Sequence, residues 1–204
     1  INFGVPQNRE RLIIIATKNK RFDFAKTNYS YKLQKLKDFL DKKGDFEFLD
    51  ESEYTMIDNP KKQASGLIFV GYRNKSIWKT GVRPNTEHLS RVHRQPNRVY
   101  SDRGVHPTIP SQETSGRFFI HLSDCNRVRK LTLNECYRIM GFDDNFKKHS
   151  SKAECYKQIG NSVCVPMIQE IANNILENHL LEEIYEPQRK IDRTLSKQKR
   201  FACA

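Results

Sequence analysis

Long apolar runs are missing from this chain. Of its 204 residues only 37% are hydrophobic and 29% are charged. No stretch approaches the roughly 20 consecutive apolar residues that cross a bilayer as a helix. No basic segment followed by an apolar one opens the chain, so no secretory signal is expected and a cytoplasmic setting is. Paired cysteines are missing too. The five present (Cys125, Cys136, Cys155, Cys164, Cys203) are odd in number and scattered, with no CxxC pair. No such pair suggests a zinc site, and the pattern predicts free thiols in a reducing compartment. His88, His93, His106 and His121 show no ligand spacing with Cys or carboxylates, so no metal is expected. No internal repeat is visible. The first residue is Ile rather than Met, which predicts a fragment or a processed start.

Acidic residues are in deficit. Lys and Arg number 36 against 24 Asp and Glu, for a net charge of +12 and a pI near 9.5. Between positions 73 and 103 eight basic residues face Glu87 and Asp102, a local +6, and from position 186 six more face Glu186 and Asp192. Such clustering predicts a polyanionic partner. The first stretch is rich in Pro, Asn and Arg and holds no amphipathic basic helix, so nucleic acid fits better than a membrane surface.

Periodicity gives a coarse element map. Residues 11–18 contain Leu-Ile-Ile-Ile-Ala, apolar on both faces, as in a central strand covered by helices. Residues 31–43 predict an amphipathic helix with Leu33, Leu36, Phe39 and Leu40 on one stripe and Gly44 as its stop. Residues 45–66 are polar and irregular, 67–72 predict a strand, 74–115 short strands between ordered loops, and 117–122 another strand. Thr132 and Glu135 form a predicted capping box, on a helix that buries Cys136, Ile139 and Met140 and ends at Gly141. Ser151 and Glu154 repeat the cap. After Pro166, the series Ile168, Ile171, Ala172, Ile175, Leu176, His179, Leu180 predicts a long helix. Residues 187–204 read as a loose basic tail.

Three groups of residues carry chemistry. Gln7, Arg9 and Arg11 alternate in Gly4-Val5-Pro6-Gln7-Asn8-Arg9-Glu10-Arg11, which along a strand puts them on one side and Asn8 and Glu10 on the other. Neighbouring guanidiniums repel unless polar or anionic groups meet them, so they mark either a site or an exposed, salt-bridged strand end. Gln158-Ile159-Gly160-Asn161-Ser162-Val163-Cys164-Val165-Pro166 joins a short helix to the long one. Its Asn-Ser pair is either a helix cap or a ligand-binding turn. Cys164, between Val163 and Val165, reads as a packing residue rather than a nucleophile. The segment 90–104 places Arg, Gln, Asn and Ser in one loop-rich stretch, the residue types that read guanine and adenine and hold phosphates. A solvated basic face is its alternative.

With Arg129-Lys130-Leu131-Thr132-Leu133-Asn134-Glu135-Cys136-Tyr137-Arg138-Ile139-Met140-Gly141-Phe142 between them, these blocks resemble, in order and spacing, the last three blocks (VIII, IX and X) of the bacterial cytosine-5 DNA methyltransferases. The resemblance covers about 1–185. The family's Gly-rich cofactor strand-turn, its Pro-Cys nucleophile and its Glu-Asn-Val block do not occur here, so the chain resembles the C-terminal half of such an enzyme.

The resemblance implies an α/β fold: part of a Rossmann-like S-adenosylmethionine-dependent methyltransferase sheet, plus a small mixed, strand- and loop-rich DNA-recognition domain. Residues 1–25 would supply a late strand of the catalytic domain, 26–130 the recognition domain, 131–150 a hinge with the block IX helix, 151–185 the return to the catalytic domain and 186–204 the tail. The implied function is sequence-specific methylation of cytosine C5 in duplex DNA within a restriction-modification system, with the target base flipped out of the stack. In the family a Cys thiolate adds to C6 and a Glu assists at N3; a partner holding the N-terminal half would supply both. By the match Arg11 touches the cytosine, Arg9 supports the nucleophile, Gln7 assists, and Asn161, Ser162 and Val163 border S-adenosylmethionine. Arg91, Arg94, Asn97, Arg98, Ser101, Arg103, Thr108 and Gln112 fall in the implied double-stranded DNA interface. Glu135 and Arg138 read as scaffold. A non-catalytic DNA-specificity subunit is the alternative, and an RNA-directed relative a weaker third.

Overall fold

The computed structural model describes residues 3–17, 21–29, 31–74, 85–111 and 118–178. Seven strands and three α-helices are formed among them. A five-stranded sheet runs in the order β2 (Tyr54–Met56), β3 (Phe69–Arg73), β4 (Arg98–Ser101), β6 (Phe119–Leu122), β7 (Arg127–Lys130). Only β4 and β6 pair in parallel. Their connection carries β5 (His106–Pro107), which pairs in parallel with β1 (Gln7–Asn8). The helices are α1 (Leu133–Arg138), α2 (Lys152–Asn161) and α3 (Val165–Glu177). None is long and apolar enough to cross a membrane.

Strand alternation divides the sheet into two packed faces. Val70, Val99, Phe119 and Val128 form a cluster on one side. Ile120 turns to the other side and joins Leu36, Ile109, Phe118, Leu131, α1 and α2 in the larger core. Each fully buried aliphatic or aromatic side chain in it contributes about 1.5–3 kcal/mol. Cys155, Tyr156 and Ile159 of α2 pack in this core with Phe118 and Ile120 of the sheet side. The Thr132–Glu135 capping box forms with both arms, and Cys136, Ile139 and Met140 are buried. At Ser151 the hydroxyl accepts from the Glu154 amide. Gly141 adopts φ +85° against Pro166, whose Cδ would lie 2.4 Å from an added Cβ. A side chain there would push α1 and α3 apart.

Several expectations are corrected. Residues 11–17 form no strand, and Leu12 and Ile14 are exposed. A strand is stable only when a neighbouring strand accepts its amides, and among the described residues no strand pairs with this run. Residues 31–43 hold only a 3₁₀ turn at Leu36–Phe39. Its first amides are diverted: Leu36 N–H donates to Gly104 O and Lys37 N–H to Asp102 O. This docks Leu36 and Phe39 into the core while Leu33 stays exposed. The segment expected to be irregular contains β2, and β7 went unanticipated. Helix α3 buries only Asn174 and leaves Ile168 and Leu176 exposed. His179, Leu180 and the basic tail lie outside the described residues.

One buried histidine ties the β1 platform to this core. His106 is fully buried between Tyr100 and Phe118, with Nδ1 2.7 Å from Pro107 O, and its amide donates to Pro6 O. Burial holds the imidazole pKa down to about 4. An unfolded chain binds a proton at about 6.5, so the folded state is favoured fully above that pH and loses this contribution as pH falls toward 4. About 2–3 kcal/mol is at stake over this window. His106→Leu should flatten the acid limb of stability against pH, measured by urea unfolding between pH 4 and 7. An unchanged limb would show that other groups set it.

Candidate active site and nucleic-acid interface

The β1–β5 pairing fixes the opening motif against the loop that follows β4. Thr108 Oγ1 donates to Asn8 O at 2.8 Å, and Gln7 is buried. Beyond Asn8 the backbone leaves the strand, and this decides where the two arginines go. Arg9 turns inward: Nη1 donates to Ile109 O at 3.2 Å, and Nη2 to Gly160 O at 2.7 Å and Ser162 O at 2.5 Å. Burial, and then the Arg11 guanidinium, push its pKa down to about 10, so it stays protonated at neutral pH. Its Nε is buried with no partner among the described residues. Arg11 is exposed and donates from Nη1 to Glu10 O at 2.6 Å.

Both arginines border a cleft of about 530 Å³ whose other walls include Phe3, Gln7, Ser65, Cys164 and Met167. Asn8 and Glu10 line it as well. The simple alternation that would send them away stops with the two-residue strand. Cys164 is buried, and burial raises its thiol pKa, as suits a packing residue.

The second candidate group sits where α2 gives way to α3. Asn161 ends α2 and is exposed. Ser162 is the C-cap of α2, with its hydroxyl donating to Ile159 O at 2.7 Å, and Val163 is exposed. Neither Asn161 nor Ser162 caps α3, whose N-cap is Cys164. Gly160 is required by close approach, since an added Cβ would lie 2.3 Å from Ser111 N and Cα. Beside Ser162 opens a cleft of about 750 Å³ walled by Tyr137, Phe142, Phe146, Lys148 and His149. Phe142 meets Tyr137 edge-on at 5.4 Å and Phe146 at 4.7 Å. These aromatics escaped notice because 141–150 reads as a plain connector; the signal available was Gly141-Phe142 directly after the block IX helix.

The residues expected to form a DNA interface do not make one surface. Arg91, Arg94 and Arg103 are exposed, and Asn97 is half-buried. Arg98 is half-buried and donates from Nε to His93 O at 2.9 Å. His93 is buried and stacks on Tyr72 at 4.1 Å, with Nε2 2.7 Å from Glu87 O. Ser101 is buried and its hydroxyl accepts from the Arg103 amide at 3.2 Å, while Thr108 is engaged with Asn8. Both hydroxyls shape the loop from inside. Gln112 lies outside the described residues. A further cleft of about 380 Å³ lies between residues 57–63 and 88–91, with Lys61, His88 and Arg91 among its walls. Lys61 and His88 were not anticipated.

The mixed α/β architecture, with one cleft bordered by Arg9, a second bordered by Ser162 and exposed arginines at 91, 94 and 103, fits the class of S-adenosylmethionine-dependent methyltransferases. Comparison narrows the class: residues 1–177 match the model of the C-5 cytosine-specific DNA methylase family, and the chain belongs to that family. It is 32% identical over 187 residues to the type II methyltransferase M.HhaI of Haemophilus parahaemolyticus, covering 86% of this chain and 50% of that protein. It is 31% identical over 182 residues to the type II methyltransferase M.HpaII of Haemophilus parainfluenzae, covering 86% of this chain and 48% of the relative. M.HaeII of Haemophilus aegyptius is 26% identical over 189 residues, covering 91% of this chain and 52% of the relative. The chain thus spans about half the length of the curated relatives it matches.

Proposed function

We propose that this chain forms the target-recognition and cofactor-side portion of a sequence-specific DNA (cytosine-5)-methyltransferase. A partner segment with the earlier blocks would complete it and carry the nucleophile. The observation that supports this best is the junction at Arg9, where the Gln7–Arg11 motif meets the turn of Asn161, Ser162 and Val163. Arg11, on the cleft, is the donor for negative charge that develops toward O2 and N3 of a flipped cytosine during attack at C6. Arg9 keeps a buried Nε without a partner among the described residues, a donor available to the catalytic loop of the missing portion. Exposed Leu12, Ile14, Ile168 and Leu176 offer apolar surface for that portion to cover.

The residues present fit S-adenosylmethionine on two counts. Asn161 and Val163 are exposed at the turn, and the adjoining cleft is walled by aromatic rings, which hold flat and cationic groups. Bound there, the cofactor supplies the methyl group. Asn161, Ser162 and Phe142 would hold and orient it. Arg91, Arg94 and Arg103 would meet the DNA, with Arg98 and Asn97 nearer the loop core.

The test is methyl transfer to duplex DNA. The 204-residue chain alone should transfer no labelled methyl group, and mixing it with a chain carrying the earlier blocks should restore transfer to cytosine. The chain alone should still bind duplex DNA, with a slope of log K against log salt of about −0.9 for each phosphate engaged. A flat salt response would remove the DNA interface, and transfer by the chain alone would call for a different nucleophile.

A further inference from the structure

Arg9 makes contacts that the base-side role implied for its motif does not require. Its three acceptors are backbone carbonyls from two separate segments: Ile109, behind β5, and Gly160 and Ser162, on the turn between α2 and α3. Those segments already touch at their closest point, since Gly160 lies flush on Pro110 and Ser111 with no room for a Cβ. One guanidinium therefore locks the 160–162 turn onto the 109–111 segment. Arg11 follows two residues later on the same backbone and faces the cleft that Arg9 also lines. A planar fork with fixed donors holds three carbonyls in one geometry, which an ammonium on a flexible stem does not.

Resting on the methyltransferase reading above, we infer that Arg9 is a positioning residue for the cofactor. By clamping the Gly160–Ser162 turn, it sets the methyl donor's site relative to the segment after β1 that carries Arg11. Methyl transfer needs the reacting atoms held about 3–3.5 Å apart, and misplacement by 1 Å costs on the order of 10²-fold. Arg9 borders one cleft and holds the carbonyl of Ser162, a wall of the other, so one charged side chain fixes that separation from the protein side.

The test uses the complete methyltransferase with Arg9→Lys and Arg9→Ala, compared with the unaltered enzyme. Hydrogen–deuterium exchange should rise in 109–111 and 159–163 together and leave the β3–β4–β6 sheet unchanged. KM for S-adenosylmethionine should rise about tenfold to a hundredfold, as expected when one or more charge-assisted hydrogen bonds are lost, and kcat should fall with it as the reacting atoms lose their separation. Arg9→Lys should lose less than Arg9→Ala, and millimolar guanidinium ion should restore part of the cofactor affinity of Arg9→Ala. A loss confined to kcat, with KM for the cofactor unchanged, would overturn the inference and place Arg9 at the reacting base or the nucleophile. Exchange rising across the whole fold would overturn it too, making Arg9 a general staple. The exchange readout needs no turnover, so an enzyme that failed to methylate cytosine would sink the functional reading while the clamp was still judged.

Discussion

Arg11→Ala in the complete enzyme should lower turnover by about 10²–10³-fold, or 2.7–4 kcal/mol, the usual consequence of removing one donor aimed at developing charge. DNA affinity should change far less. Among the described residues Arg11 donates only to its own neighbour Glu10 O and is exposed, so the fold should tolerate its loss. Arg11→Lys should recover only part of the rate, because an ammonium lacks the planar fork. Asn8 is a poor control, since it lines the same cleft and its carbonyl accepts from Thr108. Exposed Arg21, on a segment away from either cleft, serves better, and Arg21→Ala should be nearly silent. Single-turnover kinetics on duplex DNA separate the two. Equal losses at Arg11 and Arg21 would mean that cationic charge in general, not this donor, drives the rate.

The largest effect on stability is expected at Glu135. Its side chain is completely buried and accepts four hydrogen bonds: from Arg129 Nη2 at 2.6 Å, Arg129 Nη1 at 2.8 Å, Thr132 N at 2.7 Å and Asp41 N at 2.8 Å. Arg129 is equally buried and lies over the Phe46 ring at 4.1 Å. Strand register explains why the pair exists. Arg129 lies opposite Ile120 on the sheet face that α1 covers, so its charge enters the core and needs a carboxylate. Removing one member strands the other, at a cost of about 3–5 kcal/mol. Glu135→Leu should therefore drop the melting temperature by roughly 10 °C for a chain of this size. Pairing it with Arg129→Met should return most of the loss, since an apolar replacement of a whole buried pair is often neutral. If the double variant melted no higher than Glu135→Leu, the two amides on Glu135 rather than the ion pair would be its main work.

Arg138 extends the same scaffold outward. It bonds Phe39 O at 2.8 Å, Asp41 at 2.9 Å and Asp144 at 3.0–3.1 Å. Block IX is thus a strut: Glu135 holds the sheet and Arg138 holds the chain near position 40, and neither lines the three clefts described above. This rigid base carries the cleft of Phe142 and Phe146 next to the 160–163 turn.

The sequence by itself determined what is local or carried by composition. The capping box at Thr132–Glu135 follows from two side chains three residues apart, whatever surrounds them. The helical spacing after Pro166 marks α3, and the order of three blocks marks the family. Tertiary structure decided what depends on which partner accepts a hydrogen bond. Residues 31–43 carry a helical stripe, yet the amides of Leu36 and Lys37 go to Gly104 and Asp102, and the helix is lost. Residues 11–17 have the composition of a central strand, but a strand needs neighbours, and here the run lies open. Alternation predicted one side for both Arg9 and Arg11. With the strand ending at Asn8, the carbonyls of Ile109, Gly160 and Ser162 drew Arg9 inward and left Arg11 at the cleft. Those carbonyls lie 100 to 153 residues away in the chain, and backbone oxygens have no letter in a sequence.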